Sequence, residues 1–167
     1  DFLATNEGGS NALPTGFSSL DELLGGGLKD GTVSVLAARP GVGKSALALW
    51  FTLSAARHGK KTSYVSLEMS ATECGARLLT ASSGQRRVYS KGKYTPQNIS
   101  HLHDTANAMS TWPIRFKDDA EDSLDSITGF VQRESVERGV DLLVVDYLQL
   151  VNAPGDNPYQ SVSYASR

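Results

Sequence analysis

Residues 38–45 read Ala-Arg-Pro-Gly-Val-Gly-Lys-Ser. The run fits the phosphate-loop pattern G-x-x-x-x-G-K-[ST] at Gly43, Lys44 and Ser45, with Ala38 where the first glycine is usual. Each residue type has a physical task there. Gly41 and Gly43 let the backbone turn so that successive N–H groups point inward at phosphate oxygens. The helix expected to begin at Lys44 adds the positive end of its dipole. Lys44 brings a mobile point charge for the β- and γ-phosphates, and the Ser45 hydroxyl is a hard oxygen ligand for Mg²⁺. The nucleotide-contacting run is therefore Ala38, Arg39, Pro40, Gly41, Val42, Gly43, Lys44, Ser45 and Ala46. The plainer reading is a strand-turn-helix corner with glycines for tightness.

Phosphate chemistry of this kind also needs acids. Asp146 follows the apolar run LLVV (142–145), which places it at the end of a buried strand and suits it to the Mg²⁺ shell, through water. Glu68 ends a second strand at the same sheet edge, where a carboxylate beside the γ-phosphate suits a general base for water. A turn-capping aspartate and a surface glutamate opening the next helix are the ordinary alternatives.

The elements that must carry these residues are legible from periodicity and punctuation. Residues 1–12 are small and polar and read as a linker, leaving 13–167 as one domain. Ser19 with Glu22 resembles a capping box for a short helix ending at Gly25. TVSVLA (32–37) reads as a buried strand entering the phosphate loop, 45–58 as the helix leaving it, and 61–68 as the second strand. Ser70, with Glu73 in the capping-box position, starts a helix to Ser83, and Thr95-Pro96 starts another to Ser110. PIRFKD (113–118) is a third strand, Ser123–Arg138 a helix stopped by Gly139, and 140–150 a buried strand followed by a loop and a helix from Tyr159. Strands alternating with helices imply an α/β fold, a mostly parallel sheet covered on both faces. Functional loops in such sheets lie at the carboxyl ends of the strands.

The segments TGFSSLDELLGGGL (15–28), ARPGVGKS (38–45), SLEMS (66–70) and DYLQL (146–150), in this order and spacing, resemble the RecA-like motor domain of DnaB-type replicative helicases. The resemblance covers roughly residues 14–167. The first two segments are shared with other RecA-fold ATPases, and the last two favour the helicases. An Ala opening the loop with Arg-Pro after it also occurs in that family. The resemblance implies a RecA-like P-loop NTPase fold, ATP and Mg²⁺ as cofactors, and a hexameric ring of such chains around single-stranded DNA. It also implies an arginine finger from the neighbouring subunit, and contacts with primase and a helicase loader. By position it makes Lys44 and Ser45 the phosphate and Mg²⁺ residues, Glu68 the catalytic base and Asp146 the Walker B acid, with Lys44 also counted as catalytic. On the same grounds the family's next strand, its γ-phosphate-sensing Gln and its arginine finger are expected after Arg167, so the chain reads as the first portion of the domain. A recombinase, a regulatory switch ATPase and a nucleotide-binding assembly module are the alternatives.

Composition bounds these readings. The chain has 167 residues, enough for one domain, with 40% hydrophobic and 20% charged residues. The net charge of −2 argues against broad coating of nucleic acid while leaving room for a local basic groove. No apolar run is long enough to cross a bilayer, and no leader opens the chain. The single cysteine, Cys74, is read as core filler, and a cytoplasmic setting is expected. Arg86, Arg87, Lys91 and Lys93 are read as a solvated loop, with a DNA or subunit contact as the rival. The acidic run Asp118, Asp119, Glu121, Asp122 and Asp125 is read as leading into the helix at Ser123, and His101, His103 and Asp104 as an unpromising metal set.

Overall fold

The computed structural model describes residues 12–84, 94–119 and 123–146. A short antiparallel pair, β1 (Ala12–Leu13) and β2 (Leu28–Lys29), brackets α1 (Ser18–Leu24). The helix α2 (Lys44–Arg57) leads into β3 (Thr62–Ser66), and α3 (Ala71–Ser83) and α4 (Pro96–Met109) lead into β4 (Ile114–Lys117). The helix α5 (Leu124–Glu137) then leads into β5 (Leu142–Asp146). The sheet is parallel, in the order β4-β3-β5, with Thr62 opposite both Ile114 and Leu142 and Ser66 opposite Asp146.

The central strand explains the layering. β3 is buried along its whole length. On one face Tyr64 packs with Leu49 and Leu53 of α2, Met69, and Cys74 and Leu78 of α3. On the other, Val65 and the following Leu67 pack with Ile127 of α5. Alternate side chains of a strand point to opposite faces, so a strand buried at every position needs helices on both. Helix starts are chemically marked: Ser70 Oγ accepts from Glu73 N (3.2 Å), Thr95 Oγ1 from Asn98 N (3.2 Å) and Ser123 Oγ from Ser126 N (3.2 Å). At the amino edge of the sheet, Arg138 donates to Thr62 O (3.0 Å), Ser63 Oγ (3.1 Å) and Pro113 O (3.0 Å), and pairs with Glu134. Asp141 Oδ2 accepts from Lys61 N (2.7 Å), so the end of α5 and the starts of all three strands are locked in register.

Four expectations change. TVSVLA (32–37) is neither buried nor a strand: residues 31–43 are all exposed, Val33 at 92% and Val35 at 81%. β-branched composition favours a pleated, packed surface and does not create one, and no sheet edge among the described residues pairs with this segment. Ser19 does not cap α1, whose N-cap is Phe17 without a side-chain bond. Asp21 turns back instead, its Oδ1 accepting from Thr15 N (2.8 Å). Ala12, assigned to the linker, belongs to β1. In the acidic run, Asp118 serves a different helix from the one expected, its Oδ2 accepting from Ala71 N (2.6 Å) in the first turn of α3. The rest of the linker, the basic stretch 86–93, residues 147–150 of the last strand, and the loop and helix after 151 lie outside the described residues.

Candidate nucleotide site

The phosphate loop folds on itself before α2. Val42 N donates to Arg39 O (3.3 Å), and Lys44 Nζ reaches Ala38 O at 3.4 Å. Gly41 and Gly43 have φ of 78° and 111°, left-handed values costly for any residue with a Cβ. A Cβ at either would meet nothing within 4 Å, so the glycines answer to backbone conformation and the space beside them is open. Gly43 is also the N-cap of α2 and supplies no side-chain cap, in contrast to Ser70, Thr95 and Ser123 on α3, α4 and α5. The first-turn N–H groups of α2 thus receive no capping side chain, which suits an external anion. Arg39, Pro40, Gly41, Val42, Gly43 and Ala46 are exposed, as is Ala38, and Lys44 and Ser45 are half-buried.

Topology sets where this loop lies. α2 has 14 residues and spans about 21 Å at 1.5 Å per residue. It packs on the sheet through Leu49 and Leu53 and joins β3 through a turn of four residues, 58–61. A link that short returns the chain antiparallel to the helix. The Lys44 end of α2 therefore lies toward the carboxyl edge of β3.

Both candidate acids are at that edge. Asp146 ends β5 and is buried, at 5% exposure. Leu67 N donates to Asp146 O (2.8 Å), which extends the β3–β5 ladder by one bond and brings Glu68 to the next position. Glu68 is exposed between two buried neighbours, Leu67 in the α5-side core and Met69 in the α2-side core. Met69 N is further tied to Ser66 Oγ (3.2 Å). The carboxylate is thus presented to solvent from an anchored bend. Sheet order gathers Glu68 and Asp146, and α2 directs Lys44 and Ser45 to the same edge. No strand among the described residues fastens the entry side of the loop.

Sequence reasoning missed one residue behind Asp146, Tyr64, while Cys74 is the core filler expected. The buried Tyr64 hydroxyl donates to Asp146 Oδ2 at 2.8 Å, and Cys74 Sγ lies 3.7 Å from Ser66 Oγ. Burial first, and then the bond to Asp146, hold the Tyr64 hydroxyl far above its ordinary pKa. Burial likewise pushes the Cys74 thiol up, opposed by its bond to Ser66. Tyr64 lies two residues before Ser66, on the face that carries Asp146, and only the strand order reveals the meeting. The histidines are occupied elsewhere: His101 Nε2 is 3.2 Å from Ser83 O, and His103 Nδ1 is 3.2 Å from Asn107 Nδ2. Among the described residues no group of three or more His, Cys, Asp or Glu is placed to hold a metal by itself, and no helix is long and apolar enough to cross a membrane.

Comparison with known proteins gives a consistent result. Residues 12–167 match the model of the DnaB-like helicase C terminal domain. The chain is 33% identical over 165 residues to a replicative DNA helicase DnaB of Leifsonia xyli subsp. xyli, covering 96% of this chain and 36% of the relative. It is 31% identical over 172 residues to the replicative DNA helicase DnaB of Geobacillus stearothermophilus, covering 100% of this chain and 38% of the relative. It thus spans little more than a third of these relatives. Among solved structures, the ATPase domain of G40P superposes with a TM-score of 0.82 at 25% identity, covering 96% of this chain and 59% of that one. A DnaB-like replicative helicase described with its interactions with primase gives the same score and identity, covering 96% and 41%.

Proposed function

Since the chain belongs to the DnaB-like helicase C-terminal domain family, we propose that it binds ATP with Mg²⁺ at the Ala38–Ala46 loop and forms part of a motor that moves along single-stranded DNA and unwinds duplex. The observation that carries this reading is the convergence at one sheet edge of Asp146, Glu68 and the amino end of α2.

The residues fit the assigned groups. The loop backbone and the α2 amino end hold the phosphates, and Lys44 neutralises the β- and γ-oxygens. Ser45 and Asp146 hold Mg²⁺, a hard cation suited to a hydroxyl and a carboxylate reached through water. The ion that Ser45 and Asp146 would hold would supply positive charge against the phosphate oxygens. Glu68 accepts the proton of the attacking water and orients it. The gain in rate comes from positioning and from charges fixed in advance.

In the complete protein the motor acts as a hexameric ring around single-stranded DNA, with a neighbouring subunit's arginine completing the site. The isolated chain then binds ATP and turns it over slowly. One of the structural relatives is described with primase; a primase contact, and one with a helicase loader, are proposed for the complete protein. The test is ATP-dependent unwinding of a forked duplex by the full-length protein. No unwinding under conditions where the ring assembles removes the proposal, and strand exchange between homologous DNAs in its place would favour a recombinase.

A further inference from the structure

Asp146 is buried at the strand end, and its Oδ2 accepts a hydrogen bond of 2.8 Å from the Tyr64 hydroxyl. Tyr64 is itself fully buried, wedged among Leu49 and Leu53 of α2, Cys74 and Leu78 of α3, and Met69, with its ring tilted against Phe116 at 5.6 Å between centroids. A ring packed on so many sides has little freedom, so its hydroxyl is a fixed point. We infer that Tyr64 is a positioning residue for the metal-binding acid: its hydroxyl fixes the orientation of the Asp146 carboxylate so that the remaining acceptor sites are preset for the hydrated metal. This rests on the assignment of Asp146 to Mg²⁺ made above.

The physical case has three parts. A carboxylate at a strand end can rotate about its last torsion, which is broad and soft. A donor on one oxygen removes that rotation. An ionised carboxylate offers about four acceptor sites, so one bond from Tyr64 leaves others for water on the ion. Finally, groups that hold a metal ligand from behind commonly change metal affinity by about 10–100-fold when removed. Contact through water lowers the expectation to the bottom of that range.

Tyr64→Phe keeps the ring and removes only the hydroxyl. The experiment uses the full 167-residue chain with Mn²⁺ as the probe, counting free ion by electron paramagnetic resonance in the presence of a non-hydrolysable ATP analogue. Analogue affinity in EDTA is measured in parallel. Expected for Tyr64→Phe is about a tenfold loss of Mn²⁺ affinity with analogue affinity in EDTA unchanged. In an Asp146→Asn background the same substitution adds nothing further. Where circular dichroism shows that Tyr64→Phe does not fold, Tyr64→Met takes its place. Wild-type binding of Mn²⁺ with a variant inside twofold of it overturns the role of Tyr64 and leaves the site assignment standing. A wild-type chain that binds analogue but shows no Asp146-dependent Mn²⁺ binding overturns both.

Discussion

Removing the Lys44 ammonium separates phosphate binding from fold. Lys44 begins α2 half-buried, after a loop whose residues 31–43 are all exposed, and its contacts include one of 3.4 Å to Ala38 O. Lys44→Ala therefore removes little packing, and a surface change of this kind alters stability by less than about 0.5 kcal/mol. At this chain length that is a melting shift under about 2 °C. Binding is affected very differently. A hydrogen bond to a charged group contributes about 1.5–3 kcal/mol, which converts to roughly a 10- to 150-fold loss of affinity for ATP. Adenosine, which lacks phosphates, should bind no differently to the two proteins. Calorimetric titration of ATP and adenosine into both proteins, beside thermal melts, reads all three quantities. Equal ATP affinity in wild type and variant refutes the placement of the phosphates. An equal loss for adenosine shows that the substitution damaged the pocket generally.

Other outcomes follow from the same geometry. Glu68→Gln in the full-length ring should retain ATP binding and lose at least about 100-fold in turnover, the usual contribution of a general base; steady-state ATPase assays beside nucleotide titrations decide it, and near-normal turnover contradicts the assignment. Ser70→Ala removes the cap of the helix that follows Glu68 and should cost about 1 kcal/mol, measured by urea unfolding, with no change expected if the Ser70–Glu73 bond is absent in solution. Arg138→Met leaves Glu134 largely buried without its cation and should cost about 3 kcal/mol or more, whereas Arg138→Met with Glu134→Leu should recover most of it; a single variant as stable as wild type would contradict the lock at the amino edge. Cys74 has its thiol pKa raised by burial, so its contribution to stability is complete below the unfolded thiol's value near 8.5 and shrinks as pH rises from there toward the raised folded value. A thiol-reactive chromophore at pH 8 should accordingly label Cys74 only as fast as the chain opens, and immediate labelling would show the thiol to be accessible.

What the sequence made legible, and what it did not, divides along a physical line. Three helix starts were readable because their signals are local: Ser70, Thr95 and Ser123 each bond an amide three residues away, whereas the equally local Ser19–Glu22 pattern does not cap α1. The expected stops at Gly25 and Gly139 are likewise met by left-handed glycines. Alternation of strands and helices sufficed for a parallel sheet, and the apolar run before Asp146 sufficed to put that acid at a strand end, whereas β3 stops at Ser66 and Glu68, read as the last residue of that strand, lies two residues past it in a bend. Other failures arose where the decisive partner is far along the chain. Asp118 looked like part of a cap for α5 and instead serves α3, 47 residues back. Tyr64 finds Asp146 across 82 residues. TVSVLA has the composition of a strand, but pairing depends on an edge elsewhere, and composition carries no information about which edge.

Strand order is the step from which the site follows. Both connections, β3 to β4 and β4 to β5, link parallel strands and should be right-handed. β4 lies on one side of β3 and β5 on the other, so the two connections run in opposite directions across the sheet. Right-handedness then requires their helices on opposite faces, which is what the packing gives: α3 joins the core around Tyr64, and α5 joins the core around Val65 and Leu67. That arrangement buries β3 on both sides and puts it beside β5. Pairing Ser66 with Asp146 then brings residues 64, 66, 144 and 146 onto one face, near enough for a tyrosine two residues back to reach the acid diagonally. Had β5 added outside β4, Glu68 and Asp146 would stand two strands apart, roughly 10 Å at the usual strand spacing, and Tyr64 would have no acid to hold. The handedness of the crossovers and the register at Ser66 thus do for the acids what the left-handed Gly41 and Gly43 do for the loop: they fix donors and acceptors in advance, as the proposed nucleotide site requires.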